Sequence, residues 1–245
     1  MRKISNVLVG LLFLIAAATV TARAQNTVGQ TGQSSPPSVT PNLAAVTTNR
    51  PTLQNVVNSL STLPEVDTLI YINPQRILNE VVPKLLPPKD VEGMRKSFEE
   101  VKKSAGIDPT KIDYIVIATR FKKPTADLNF QPPEFMVVAS GDFNAESLIA
   151  LARMASQGKL RDEKYGTKTL GLMTIDPLVK EAEKNPFLKA FTEMGILTLN
   201  ANTIAAGTPS YLRAAIDASE GRERISTETL NSLVRDPNVL VSFAG

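Results

Sequence analysis

The strongest constraint on the fold is a pair of apolar runs, Ile112–Arg120 and Glu134–Gly141, separated by a polar loop. Both runs have the length of β-strands and are rich in β-branched and aromatic residues. Their centres, 115–117 and 136–138, are continuously apolar rather than alternating, which is typical of central strands covered on both faces. The two runs therefore predict a hairpin in the middle of a sheet.

The rest of the chain alternates helix signals with further hairpin signals. Asn73, Asp90 and Asn144 are predicted N-caps, and Pro83 predicts a helix break. The predicted helices cover 53–60, 73–82, 91–105, 144–157, 176–191, 208–220 and 228–234, and the predicted strands cover 68–72, 159–175 as an outer hairpin, 196–199, 203–206 and 239–243. Helices separated by hairpins indicate an α+β fold with a mainly antiparallel sheet and helices packed on it, built from hairpin–helix units.

The spacing of apolar residues also predicts which surfaces pack together. In helix 144–157, Leu148, Leu151, Ala152 and Ala155 are the expected buried face. We expect this helix and helix 91–105 to cover one face of the central hairpin. The other face would be covered by hairpin 196–206, by the helix after Thr208 or by a partner chain.

The N-terminal residues 1–24 have the pattern of a signal peptide. Arg2 and Lys3 precede the apolar stretch 7–20, and residues 22–24 read Ala-Arg-Ala, an A-x-A cleavage pattern. The apolar stretch is short against the roughly 20 residues that span a bilayer, so cleavage before Gln25 is the prediction and an uncleaved anchor the alternative. The predicted location is secreted or periplasmic.

Two further segments follow the signal peptide. Residues 25–52 are rich in Gln, Ser, Thr and Pro and predict a disordered linker. Residues 53–245 are predicted to form a single α+β domain. Its end, 231–243, partly repeats the pattern of 58–72, so the last strand either completes the same sheet, which we favour, or begins a truncated repeat.

The charge of the chain argues against polyanionic partners. The signal peptide contains Arg2, Lys3 and Arg23 and no acid, so the chain after residue 24 has 24 basic and 24 acidic residues. A neutral chain gives no electrostatic reason to expect nucleic acid or an anionic membrane as a partner. Membrane contact is expected only through an uncleaved signal peptide.

The chain contains neither Cys nor His. This composition excludes disulfides, thiol nucleophiles, Ser-His-Asp catalysis and imidazole or thiolate zinc sites. Neither a Walker A nor a G-x-G-x-x-G pattern is present, so nucleotide phosphate binding lacks its signature. We predict no cofactor and no bound metal.

A few residues could still carry chemistry. Ser156 and Lys159 have S-x-x-K spacing, but Gly158 predicts a helix end between them, and about one such match is expected by chance. Asp142 begins an Asp-x-Asn-x-Glu run that lacks the rest of a calcium loop, and helix capping explains it. Asp113, Glu134 and Asp142 could form a carboxylate cluster at the sheet ends, suited to acid–base catalysis.

Four segments carry a resemblance to known proteins: LPEVDTLIYINP, IDYIVIATRF, EFMVVASGDFNAESLIALA and ILTLNANTIAAGTPSYLRAAIDA. In these segments and in its order of elements, the chain resembles a broad class of secreted bacterial proteins of unknown function. The resemblance covers most of residues 60–245. It implies an α+β module behind a signal peptide or a single membrane anchor, often duplicated, and it implies no catalytic residues.

These observations predict an exported, non-catalytic domain that binds or scaffolds a protein or envelope partner, or self-associates through a sheet face. The alternative is a periplasmic hydrolase that works without His or Cys, using carboxylates or the Ser156–Lys159 pair. Since none of the common catalytic sets is complete, we expect binding rather than catalysis.

Overall fold

In the computed structural model, the described residues are 53–122, 132–174, 192–233 and 240–244. The predicted signal peptide, the linker, the helical region 176–191 and Val239 lie outside them. Eight strands form one antiparallel sheet in the order β4-β5-β6-β7-β3-β2-β1-β8. Their bounds are β1 Thr68–Ile72, β2 Ile112–Arg120, β3 Glu134–Gly141, β4 Leu160–Tyr165, β5 Lys168–Thr174, β6 Glu193–Asn200, β7 Thr203–Gly207 and β8 Val241–Ala244. The α+β prediction is confirmed.

The described helices fall between the hairpins, as the sequence predicts. They are α1 Leu53–Leu60, α2 Pro74–Arg76, α3 Val82–Leu85, α4 Pro88–Ala105, α5 Ala145–Ala155, α6 Pro209–Ser219 and α7 Thr227–Leu233. Among these helices, none combines the length and the apolar character needed to cross a bilayer.

The central hairpin has the predicted bounds and lies inside the sheet. β2 pairs with β3, β1 lies on the outer side of β2, and β7 lies on the outer side of β3. At the chain end, β8 pairs with β1 in the same sheet, with Ile70 opposite Phe243. The last strand is therefore an edge strand of this sheet and lies next to the first strand.

Alternate residues of each strand point to one face of the sheet, the core face, where the main hydrophobic cluster lies. Val116, Val138 and Leu197 are each at most 1% exposed and lie in one row across this face. Helices α1, α6 and α7 cover it with Leu60, Tyr211, Leu212, Ile216, Leu230 and Leu233. The helix after Thr208, one of the predicted alternatives, is thus one of the three helices that cover this face.

The opposite face, the second face, is also apolar but less buried. The strand register aligns one continuous row across it: Phe243, Ile70, Ile117, Val137, Ala206 and Ile196. Phe243 is exposed and the others are half-buried. Helix α5 contacts β6, whereas α4 has its main contacts with α3 and the 3₁₀ turn Pro109–Lys111. Hairpin 196–206, one of the predicted covering elements, forms two strands of the sheet itself and therefore covers neither face.

Three local predictions were wrong. Helix formation continues past Pro83. A π-helical turn, Ile77–Val81, precedes it, and there the Val82 N–H donates to the Ile77 carbonyl. Pro83 therefore lies in the first turn of α3, where its missing N–H is tolerated. Helix α4 begins at Pro88, so Asp90 lies in its first turn and is not the N-cap. In α5 Ala152 is buried as predicted, but the other buried residues are Ala145 and Ile149, while Leu148, Leu151 and Ala155 are half-buried.

Candidate functional site

A cleft of about 440 Å³ opens on the core face of the sheet. Four parts of the chain surround it: the C-terminal end of α1, the β4–β5 turn, the β6–β7 hairpin and the C-terminal end of α6. Its floor contains Tyr114, Val138, Leu199 and Thr203, and its rim is lined by hydroxyl and amide side chains together with two charged residues, Lys168 and Glu220. The volume falls within the roughly 300–1,000 Å³ of ligand-binding clefts.

Glu220, the residue that follows α6, fixes one wall of the cleft. Its Oε1 accepts hydrogen bonds from the backbone N–H and the hydroxyl of Thr167, both at 3.1 Å, and its Oε2 accepts from Arg222 at 2.6 Å. The hydrogen bonds from Thr167 lower the pKa of the Glu220 carboxyl below its usual range. The cleft rim therefore holds an anchored carboxylate that is ionised at neutral pH.

Lys168 supplies a cation on the same rim. It is the first residue of β5, and its Nζ donates to the Leu199 carbonyl at 3.0 Å across the neighbouring strand β6. An ammonium group has three donors, and within the described part of the chain this is the one hydrogen bond of the Lys168 Nζ. Two donors thus remain for a ligand.

The floor of the cleft is both aromatic and polar. The Tyr114 ring stacks on Tyr71 with centroids 6.2 Å apart, which positions an aromatic side chain from the central hairpin. Next to it, the Thr203 hydroxyl donates to Ser140 Oγ at 3.0 Å, and Ser140 Oγ donates to the Asn202 carbonyl at 3.3 Å. This chain of hydrogen bonds satisfies the buried hydroxyls beneath the floor.

A second cluster lies at the other end of the central strands. Arg120 donates to Glu134 Oε2 from Nε at 2.9 Å and from a terminal nitrogen at 2.6 Å, and its guanidinium lies 4.9 Å from the Tyr211 ring centroid. Burial would raise the pKa of Glu134, but hydrogen bonds from Ser210 and Arg120 and the charges of Arg120 and Lys122 outweigh burial and lower it. Every charge in this cluster is paired, so we assign it a structural role.

The Ser156–Lys159 pair is part of the turn between α5 and β4. Ser156 Oγ donates to the Arg153 carbonyl at 2.8 Å and accepts from the Leu160 N–H at 3.2 Å. Gln157 and Gly158 both have positive φ, of 53° and 84°, so Ser156 and Lys159 do not share a helical turn as the S-x-x-K mechanism requires. The Ser156 hydroxyl acts as a local cap.

The three predicted carboxylates lie at two ends of the hairpin. Asp113 near the start of β2 and Asp142 just after β3 are close enough for Asp142 to contribute to the shift of Asp113, whose pKa is raised mainly by burial and then by the Asp142 charge. Glu134 lies seven residues from Gly141 along β3, about 24 Å at the usual strand rise. The structure therefore brings Asp113 and Asp142 together and separates Glu134 from both. Asp142 also pairs with Lys111 at 2.7 Å, and no three acidic, His or Cys side chains within the described ranges gather as a metal site.

Sequence reasoning did not identify the cleft. Its residues come from positions as far apart as Ser59 and Glu220, and no single stretch carries a recognisable motif. The two available signals were the hairpin turns at Tyr165-Gly166 and at 200–202, which form two of its walls.

Comparisons of the chain with protein-family models, with curated proteins and with solved structures find no match.

Proposed function

We propose that this chain is an exported, non-catalytic domain of the cell envelope, secreted or periplasmic, that binds a small polar molecule in the cleft of the core face. The observation that supports binding is the rim of the cleft, where Lys168 has unused donors beside hydroxyl and amide side chains, and where Glu220, already bonded to Thr167 and Arg222, fixes the wall. A ligand that carries both hydrogen-bond donors and acceptors, such as an amino acid, a short peptide or a sugar, matches this lining.

The positions of the candidate catalytic residues favour binding over hydrolysis. Ser156 caps a turn, Glu134 is paired with Arg120, and Asp142 is paired with Lys111. Export is supported by the N-terminal pattern Arg2-Lys3, apolar stretch, Ala22-Arg23-Ala24. Recovery of the chain from the envelope fraction with Gln25 as its first residue is the expected outcome of export.

One observation favours a second candidate, a carboxylate hydrolase. Asp113 has a raised pKa and an acidic neighbour, Asp142, and a carboxyl group whose pKa is raised by burial can act as a general acid. The Asp142–Lys111 ion pair counts against this candidate, because it occupies one of the two carboxylates.

A ligand panel separates the two candidates. The melting temperature of the protein is measured with free amino acids, di- and tripeptides, and mono- and disaccharides. A ligand at 100 times its Kd stabilises the fold by about 2.7 kcal/mol, so a bound ligand raises the melting temperature. The Kd of each such ligand is then measured by calorimetric titration. We expect Lys168→Met to weaken binding at least about tenfold, and Lys164→Met, at an exposed position of neighbouring β4, to leave it unchanged. No hit in the panel, or full binding by Lys168→Met, contradicts the proposal. Hydrolysis of a panel member that Asp113→Asn abolishes supports the second candidate.

A further inference from the structure

The chain between β1 and β2 forms a helical arm, residues 74–105, that differs from the rest of the fold in its burial. Tyr71 before it and Ile107 after it are buried. Between them, no residue whose side chain is described is buried, although the arm includes apolar side chains on every turn. The arm is therefore a surface feature and contributes little to the core.

The tip of this arm, residues 83–90, reads Pro-Lys-Leu-Leu-Pro-Pro-Lys-Asp, and all eight residues are exposed. Leu85 is 73% exposed and Leu86 is 41% exposed, and they are the two exposed leucines of the described chain. Three prolines restrict the backbone here. A hydrogen bond of 2.9 Å, which the Leu86 N–H donates to the Val82 carbonyl, restricts it further. The two apolar side chains are thus presented to solvent on a stiff turn.

Two lysines lie on either side of the leucines in the sequence. Lys84 precedes Leu85 and Lys89 follows the prolines, and neither is in a salt bridge with any described residue. Asp90, next to Lys89, lies in the first turn of α4, and Glu80, four residues before Lys84, pairs with Arg76. An apolar tip with basic residues at its border matches a bilayer, where leucines enter the acyl boundary and lysines meet anionic headgroups. The balanced charge of residues 25–245 conceals this local pair.

The small area of the tip also argues for a bilayer over a protein surface. A specific protein interface buries about 800 Å² on each partner, and two leucine side chains on a convex turn supply far less. A bilayer has no such requirement, because a few inserted side chains and basic contacts give weak, reversible attachment.

From these observations we propose that the tip 83–90 docks the domain onto lipid bilayers that contain anionic headgroups, with Leu85 and Leu86 inserted at the headgroup–acyl boundary and Lys84 and Lys89 on headgroup phosphates. This contact is separate from the cleft, so it can fail or succeed independently of the proposed function.

The chain contains no Trp, so Leu85→Trp introduces a single fluorescent reporter at the tip. With vesicles of phosphatidylcholine and phosphatidylglycerol, we expect its emission to shift to shorter wavelength and to be quenched by brominated acyl chains. The matched reporter is Met154→Trp on α5, where the native side chain is 69% exposed, and it should show neither change. Because both variants carry the same N-terminal segment, attachment through residues 1–24 affects them alike.

The lysines are tested in the Leu85→Trp background. Lys84→Gln with Lys89→Gln should weaken binding to the anionic vesicles roughly 25-fold, since each lysine near such a surface contributes about a fivefold factor. Lys96→Gln with Lys103→Gln, on the same arm but away from the tip, should change it little. A tip reporter that does not respond to vesicles overturns the proposal, as does an equal response of the Met154→Trp reporter. A shift that grows with protein concentration without lipid also overturns it, because a second copy then covers the leucines.

Discussion

Gly166 lies in the β4–β5 turn, which forms one wall of the cleft. Its φ of 53° and the absence of positive φ at Thr167 give the β4–β5 turn the pattern of a type II′ hairpin turn, which favours glycine at its first central position. A Cβ at this position would lie 2.6 Å from Glu220 Oε1 and 3.2 Å from Ile216 Cγ2. Glu220 accepts both hydrogen bonds of Thr167, so the turn and the end of α6 are coupled through this contact.

We expect Gly166→Ala to lower the free energy of unfolding by about 1–3 kcal/mol, because alanine is strained at positive φ. Gly93→Ala is the matched control: Gly93 lies inside α4, and an added Cβ there meets nothing within 4 Å. It should be neutral or stabilise by up to about 1 kcal/mol through helix propensity. Urea unfolding of both variants measures the two effects. Equal stability of Gly166→Ala and the unsubstituted protein would show that the turn tolerates a side chain and that its geometry does not restrict the cleft.

Helix ends that depend on a few neighbouring residues were predicted correctly from the sequence. Asn144 caps α5 by accepting from the Ser147 N–H at 2.8 Å, and Gly106 ends α4 in the left-handed region with φ 68°. Asp90 was predicted as an N-cap because its residue type favours that position. Pro88 took precedence, since proline is well suited to the first helical position, and the helix begins earlier.

At the scale of elements, the central hairpin carries carboxylates with opposite shifts at its two ends. The pKa of Glu134 is lowered by its hydrogen bonds and by Arg120, whereas the pKa of Asp113 is raised by burial and by Asp142. Relative to the unfolded chain, folding therefore favours the ionised form of Glu134 and disfavours the ionised form of Asp113. The first stabilises the fold at neutral pH, and the second destabilises it there.

This difference predicts opposite pH dependences for two conservative substitutions. Glu134→Gln should destabilise the protein by about 1–3 kcal/mol at pH 7, and the difference should shrink as the pH falls below about 4.3, where an unfolded Glu takes up a proton. Asp113→Asn should raise stability at pH 7, with a gain that disappears as the native Asp113 becomes protonated on acidification. Urea unfolding between pH 3 and pH 7 measures both. A loss of stability at pH 7 in Asp113→Asn would mean that the favourable interactions of the Asp113 carboxylate exceed the free energy of its desolvation.

Element boundaries were predicted where proline and glycine act locally, and missed where a neighbouring turn changes their effect. Pro83 would end a regular α-helix, because its ring and missing N–H disrupt the hydrogen bond to the residue four positions back. The π turn at 77–81 ends one hydrogen-bonding pattern just before it. This irregularity has no simple sequence signal, so the continuation of the helix into α3 was not predictable from residue types.

At the scale of the molecule, the order of the strands forms the cleft, which the sequence did not predict. Strands β3 and β7 are neighbours in the sheet although 61 residues separate their last and first residues, and this pairing places Ser140 beside Thr203 on the cleft floor. Local patterns predicted the strands and most of their hairpins. They carry no information on which hairpins pair, and the cleft depends on that pairing.

The two faces of the sheet differ in how tightly they are packed, and the adjacent valines of β3 measure this difference. Val138 points to the core face and is 1% exposed, while its neighbour Val137 points to the second face and is half-buried. The two positions share residue type, strand and backbone conformation. Substitutions there differ mainly in the packing that they remove.

We expect Val138→Ala to lower the free energy of unfolding by about 2 kcal/mol, because it removes two buried methyl groups and leaves a cavity under α6 and its neighbours. Val137→Ala should cost less than about 1 kcal/mol, since part of its side chain is already in water and the transfer free energy scales with the area buried. Both are measured by urea unfolding at one temperature and protein concentration. An equal cost at the two positions would mean that the second face is packed as tightly as the core face in solution. A cost of Val137→Ala that rises with protein concentration would assign that packing to a second copy of the chain.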